Sequence, residues 1–235
     1  MTTLESNRIR FRKITEDDLD DLAALYADPD VMRYYPRTRT REETHDAIIS
    51  YQKRYETEKV CLMAAIHKRE NKFIGRCGIM LQEIEGEIFP EVGYMLDKFF
   101  WRGGLGTEAA IAFRDYGFSE LNYPKIISII HPLNLASQGV AKNMGMTYER
   151  TAIYDAVECQ VYSITREDWL ALQKANEKAA RELHTPEKTH SAEELQTAEK
   201  SIASEELNTA NETPKKEVTK AKAKQAQAKK SKKST

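Results

Sequence analysis

The stretch "WRGGLGTEAA", residues 101–110, sets three glycines within four positions and passes directly into good helix formers. Bare backbone N–H groups ahead of a helix N-terminus suit an anion such as phosphate, because the helix adds partial positive charge. A tight turn between strand and helix would use similar residues, although one glycine usually suffices for a turn. "GLGTEA" also fits the G-x-G-x-x-A dinucleotide fingerprint. However, the next strand ends in His131 where a ribose-binding carboxylate belongs, and no βαβ unit surrounds the motif. A Walker A loop is excluded, since no Gly-Lys-Ser/Thr follows.

The elements around this loop read as a mixed α/β fold. "RIRFRK" alternates charge with Ile9 and Phe11, the period-two pattern of a half-buried strand. Thr15 and Asp18 open a helix that carries Leu19, Leu22 and Leu25, and "DPD" at 28–30 ends it. A second helix is expected from about Arg41 to Glu58. "VCLMAAIHK" and "FIGRCGIML" flank "RENK" as a hairpin, and "EVGYML" is a third strand before the glycine loop. A helix to about Leu121, the strand "KIISIIH" and the helix "NLASQGVAKNMG" follow, with Asn143 and Gly145 at its end. "VECQVYSIT" is a last strand, and 165–184 begin as a capped terminal helix. The order β, α, α, β, β, β, α, β, α, β, β is neither a βαβ alternation nor an all-β repeat. It predicts a mixed sheet with helices on both faces.

Composition divides the 235 residues unevenly. Every Phe, Trp and Tyr lies at or before Trp169, so the last quarter has no aromatic side chain for a core. The formal net charge of -1 hides nine lysines between Lys215 and Lys233 against the single Glu217. Residues 185–235 are therefore expected to be a disordered Lys/Ala/Glu-rich tail. Cys61, Cys77 and Cys159 are odd in number and widely spaced, which argues against a disulfide framework or a zinc site. The N-terminus lacks an apolar signal region and no stretch reaches the length of a membrane span, so a cytoplasmic protein with no membrane contact is expected.

Taken together, "EVGYMLDKFFWRGGLGTEAA" and "IISIIHPLNLASQGVAKNMGMTYE" resemble the acetyl-CoA core of the GNAT N-acetyltransferases, particularly the RimJ/RimL-like branch. "RIRFRKITEDDLDDLAALYADPDVMRYYP" is similar to that branch's N-terminal segment, so the resemblance covers roughly residues 8–170. It implies a mixed, mostly antiparallel sheet in a catalytic domain over 1–170, with 171–184 a terminal helix outside it. It also implies acetyl-CoA as cosubstrate, no metal, and an amine acceptor. In the family the strand before the loop splays from its neighbour and pairs with the pantetheine arm, here at Tyr94, Met95 and Leu96. Loop amides cradle the pyrophosphate, here at Arg102, Gly103, Gly104, Leu105, Gly106 and Thr107. Asn134 matches the asparagine that contacts the cofactor arm, and it also suits a helix N-cap. Ser137 lies on the same helix face and matches the branch's N-x-x-S serine, a hydrogen-bond donor to the thiolate. Trp101 stands where the wider family has Gln or Arg. Ala141 stands where many members carry the tyrosine that protonates the departing thiolate.

Direct transfer requires a neutral amine, so Glu91 is the candidate base, with Glu83 and Glu85 as rivals. No cysteine sits in the motif, which favours attack in a ternary complex over an acyl-cysteine. The α-amine of a peptide, with a pKa of about 7.7 to 8.0, needs less help than lysine at about 10.4. The branch's association with protein N-termini, including those of ribosomal proteins, points the same way; small amines are the alternative acceptors. His45, His67 and His131 are expected to be structural. Two rival functions remain: an acetyl-CoA-binding module that contacts RNA or ribosomes through the lysine tail, and a nucleotide-cofactor oxidoreductase.

Overall fold

The computed structural model describes residues 4–183. The expected tail at 185–235, and with it any RNA contact, lies outside the described residues. Residues 1–176 form one unit and 177–235 a second, of which 177–183 are described, as the final turns of the last helix.

Seven strands form one sheet: β1 (Ile9–Lys13), β2 (Leu62–His67), β3 (Lys72–Ile84), β4 (Glu87–Leu96), β5 (Lys125–Ile130), β6 (Thr147–Tyr154) and β7 (Val157–Thr165). Their spatial order is β1-β2-β3-β4-β5-β7-β6, antiparallel throughout except where β4 meets β5. The helices are α1 (Leu19–Ala27), α2 (Arg41–Glu58), α3 (Leu105–Ser119), α4 (Leu135–Asn143) and α5 (Arg166–Leu183).

Two hairpins turn in two residues, both left-handed. Glu85 and Gly86 (φ 55° and 86°) join β3 to β4, and Asp155 and Ala156 (φ 52° and 62°) join β6 to β7. This backbone twist matches that of the flanking strands. The tightness of the first turn lengthens β4 backwards to Glu87. Glu91 is therefore a mid-strand residue and not, as the sequence suggests, the start of the strand.

Helix starts follow their local chemistry. Thr15 and Asp18 form the expected capping box, and Asp18, 2% exposed, also takes the Arg12 guanidinium at 2.6 Å. Thr40 and Glu43 make a second box at the start of α2. Helix α4 ends at Gly145 in the left-handed conformation (φ 81°), as its glycine predicts.

The sheet divides the core. On one face Ile9, Phe11, Ile74, Cys77, Val92 and Leu96 meet Ala109, Phe113 and Phe118 of α3 and Ala141 of α4. Trp169 of α5 joins this side, stacked on Phe118 and donating its indole N–H to Asp115 at 2.7 Å. On the other face Leu62, Ala64, Ile66 and Met95 meet Leu22 and Tyr26 of α1 and Ile48 and Tyr51 of α2. Helices thus cover both faces. Among the described residues no helix is long and apolar enough to cross a membrane, and no cluster of three His, Cys, Asp or Glu is placed to hold a metal.

Candidate active site

The glycine loop is built around left-handed backbone. Gly104 (φ 77°) is the N-cap of α3, and Arg102 two residues earlier also has positive φ (62°). Glycine adopts this region freely, whereas a side chain costs about 1–2 kcal/mol there. Arg102, Gly103 and Gly104 are exposed, Leu105 is buried in the core, and Gly106 and Thr107 are half-buried. The first-turn N–H groups of α3 have no intrahelical acceptor. A Cβ on Gly103 would meet nothing within 4 Å, and one on Gly104 would stand 3.5 Å from Arg8 Nη2. Open amides, a helix N-terminus and guanidinium groups at 8 and 102 fit a pyrophosphate.

Arg8 is a residue that local sequence did not reveal. Its Nη1 donates to the Gly103 carbonyl at 2.9 Å, and its backbone N–H and Nε donate to the two Glu108 oxygens at 2.6 Å each. Burial pushes the Glu108 carboxyl up, but the Arg8 N–H, the Ser6 hydroxyl and the Arg8 guanidinium together hold it below its usual range. The start of the chain thereby braces a loop almost one hundred residues away.

Ahead of the loop, β4 and β5 part. They share one parallel bridge, Glu91 with Ile127, although β4 continues to Leu96 and β5 to Ile130. Alternation along β4 sends the backbone groups of Val92, Tyr94 and Leu96 toward this gap and those of Met95 toward β3. The Met95 carbonyl is 2.2 Å from where a Cβ on Gly75 of β3 would be, in agreement with that direction. Ser128 Oγ donates to the Val92 carbonyl at 2.9 Å and Trp101 Nε1 to the Leu96 carbonyl at 2.8 Å. Of the three residues expected to pair with the cofactor arm, Met95 turns its backbone to β3, whereas Tyr94 and Leu96 face the gap, the Leu96 carbonyl being taken by Trp101. Trp101 seals the strand end.

Glu91 stands where the gap opens. Its Oε2 accepts from Gln82 Nε2 at 3.0 Å and its Oε1 from the Ile129 N–H at 3.4 Å. Burial pushes its carboxyl up, against these hydrogen bonds and the charge of Arg76. The rivals are elsewhere. Glu83 is exposed on the opposite face of the sheet, and Glu85 is bound to Arg150 at 2.5 Å.

The far wall of the gap is the start of α4. Asn134 Oδ1 caps the helix by accepting from the Ser137 N–H at 3.1 Å, which leaves its NH₂ group with no hydrogen bond among the described residues. Capping and cofactor contact are thus compatible. Tyr94 extends its phenol across to Ser137, donating to the carbonyl oxygen at 3.1 Å. Burial pushes the phenol pKa well up, so it stays protonated. Ala141, one turn beyond Ser137, is fully buried against the core. The histidines make structural contacts: His45 with Glu16, His67 with Glu70, and His131 with the Leu133 N–H and the Tyr34 ring.

Residues 8–147 match the sequence profile of the Acetyltransferase (GNAT) domain. The chain belongs to the GNAT acetyltransferase family. It is similar to YkkB, an uncharacterized Bacillus subtilis (strain 168) protein, with 38% identity over 151 residues covering 64% of this chain and 88% of that one. A GNAT-family acetyltransferase from Bacillus anthracis is 25% identical with a TM-score of 0.61, over 71% of this chain and 99% of the other. RimL, a ribosomal L7/L12 alpha-N-protein acetyltransferase solved with coenzyme A, shares the fold at 16% identity and a TM-score of 0.59, over 69% and 97%. This GNAT protein is therefore an acetyl-CoA-dependent N-acetyltransferase.

Proposed function

We propose that this GNAT enzyme acetylates the α-amine of a peptide or protein N-terminus by direct attack in a ternary complex. The observation that carries the reading is the enclosed Glu91 carboxylate at the point where β4 and β5 part. Its raised pKa brings it toward that of an α-ammonium group, the direction a general base requires. A free α-amine, at about 7.7 to 8.0, is within reach of one such carboxylate, directly or through water; lysine at about 10.4 is a harder substrate. RimL, whose name states an α-N-protein activity, shares the fold and supports the same substrate class.

The loop amides of residues 103–107 and the guanidinium groups of Arg8 and Arg102 hold the pyrophosphate of acetyl-CoA. The Tyr94 backbone and the Asn134 NH₂ group hold the pantetheine arm. Backbone N–H groups at the gap stabilise the oxyanion as the amine attacks. Tyr94 and Ser137, both hydroxyls, then serve the departing thiolate in place of the tyrosine that Ala141 lacks. An acyl-cysteine route has no nucleophile: burial pushes the Cys61 thiol up to about 11, and Cys77 and Cys159 upward as well. Three buried free thiols also suit a reducing cytoplasm.

The test is acetyl-CoA turnover against N-terminal peptides, N-blocked lysine peptides, polyamines and aminoglycosides. N-terminal peptides should give the highest kcat/KM. Turnover confined to a polyamine or an aminoglycoside overturns the acceptor assignment.

A further inference from the structure

One charged side chain near Glu91 is buried without an ion-pair partner among the described residues. Arg76, in the middle of β3, is 7% exposed, and its Nε finds no hydrogen-bond partner. The groups around it are phenols. Its Cζ lies 5.5 Å from the Tyr26 ring centroid, and Tyr26 shares a 2.7 Å hydroxyl contact with Tyr51. Among the described residues no carboxylate lies within ion-pair range of Arg76, whereas Asp18 answers Arg12 and Asp115 answers Arg114. A buried cation without a counter-ion is costly unless its ligand supplies the charge.

Position makes that ligand an acceptor. Arg76 pairs with Met95 across β3 and β4, and Glu91 pairs with Met80, so the two share one face four residues apart on neighbouring strands, about 14 Å between Cα positions. The cross-strand pair between them is Gly78 with Gly93. A Cβ on Gly93 would meet only Leu62 Cδ2 at 3.7 Å and Glu91 Oε2 at 4.0 Å, so β4 is open there, whereas the Cys61 carbonyl and Leu62 Cα stand 2.2 Å and 2.6 Å from a Cβ on Gly78 and cover β3. The face is that of α1 and α2, opposite the side on which Tyr94 reaches α4. An acceptor whose amine sits at Glu91 and which runs along β4 over Gly93 brings its following atoms toward Arg76.

We propose that Arg76 is a specificity-determining residue that binds a carboxylate on the acceptor, so that favoured N-termini carry Asp or Glu at the second or third residue. An extended peptide advances about 3.3 Å per residue, which suits the separation once both side chains reach inward. Arginine suits the task because its planar fork takes both carboxylate oxygens. The inference rests on Glu91 marking the amine position, and the experiment separates the two.

The experiment measures kcat and KM for peptide pairs that differ by Glu against Gln at position 2 or 3, and for an ω-amino acid against its carboxamide. Wild-type protein should favour the acid of a pair by about 10- to 100-fold in kcat/KM, mainly through KM. In Arg76→Met that preference should vanish while the amide substrates keep their rates at pH values where Glu91 is fully ionised, and Arg76→Lys should retain part of it. Melting and acetyl-CoA titration of both variants establish that they fold. Equal wild-type use of acid and amide overturns the proposal without any variant. So does an equal kcat loss on both substrates in Arg76→Met with a displaced acid limb, since Arg76 would then act through Glu91. If no peptide is a substrate but the amino acid outruns its amide, the acceptor class falls and the carboxylate site stands.

Discussion

The Tyr94 hydroxyl donates to the Ser137 carbonyl oxygen at 3.1 Å, closing the gap between β4 and α4 from a strand that bears Glu91 three residues earlier. Alternation puts the two side chains on opposite faces of β4, base toward α1 and α2, phenol toward α3 and α4. A phenol held protonated by burial is a hydrogen-bond donor for a thiolate. Tyr94→Phe should lower kcat by about 100-fold and leave acetyl-CoA affinity within about threefold. Ser137→Ala should cost less, and the double variant less than the sum, because the two hydroxyls act together. Unchanged kcat in Tyr94→Phe, read by CoA release, removes the phenol from the chemistry.

Glu91→Gln should reduce kcat/KM by about 10²- to 10³-fold near neutral pH. The wild-type acid limb should lie above the ordinary glutamate range, because burial raises this carboxyl and only its ionised form accepts a proton. In the variant that limb should give way to the titration of the amine itself, at about 7.7 to 8.0. Linkage supplies a second readout. A folded-state pKa above the unfolded value means that ionising Glu91 opposes folding, with no effect below the unfolded pKa of about 4.3 and a full effect above the folded one. The Tm of Glu91→Gln relative to wild type should therefore rise between pH 4 and neutrality.

The pyrophosphate cradle is tested by calorimetric titration with acetyl-CoA. Gly104→Glu places a side chain on left-handed backbone and an anion beside the phosphates, and should abolish binding. Arg8→Ala removes the ties to Gly103 and Glu108 and should weaken Kd by about tenfold. Full affinity in Gly104→Glu refutes the loop assignment.

Stability has its own marker in Trp169, which stacks on Phe118 with ring centroids 5.2 Å apart and donates to Asp115. Trp169→Ala should lose about 2–4 kcal/mol in urea denaturation, with KM for acetyl-CoA little changed.

The order of elements was legible in the sequence because each carries its own period or cap: Thr15 with Asp18, the run from Arg41 to Glu58, and the β-branched "KIISII". The glycine loop was legible as well, since a left-handed N-cap selects glycine at 104. Strand limits were less so. The start of β4 is set by the two-residue turn at Glu85 and Gly86, and that register moved Glu91 to mid-strand. What depends on long-range pairing was hidden. Nothing beside Arg8 in the chain indicates Gly103, and nothing beside Tyr94 indicates Ser137. Arg76 reads as one more charge in a strand until the absence of an ion pair around it is visible.

The most direct test of the central claim uses one peptide with a free α-amine and an internal lysine, incubated with enzyme and acetyl-CoA near pH 7.5. Fragment mass spectrometry then locates the acetyl group. Acetylation at the α-amine, lost in Glu91→Gln, is the predicted result. Acetylation of the lysine alone, or α-acetylation at an undiminished rate in Glu91→Gln, contradicts it.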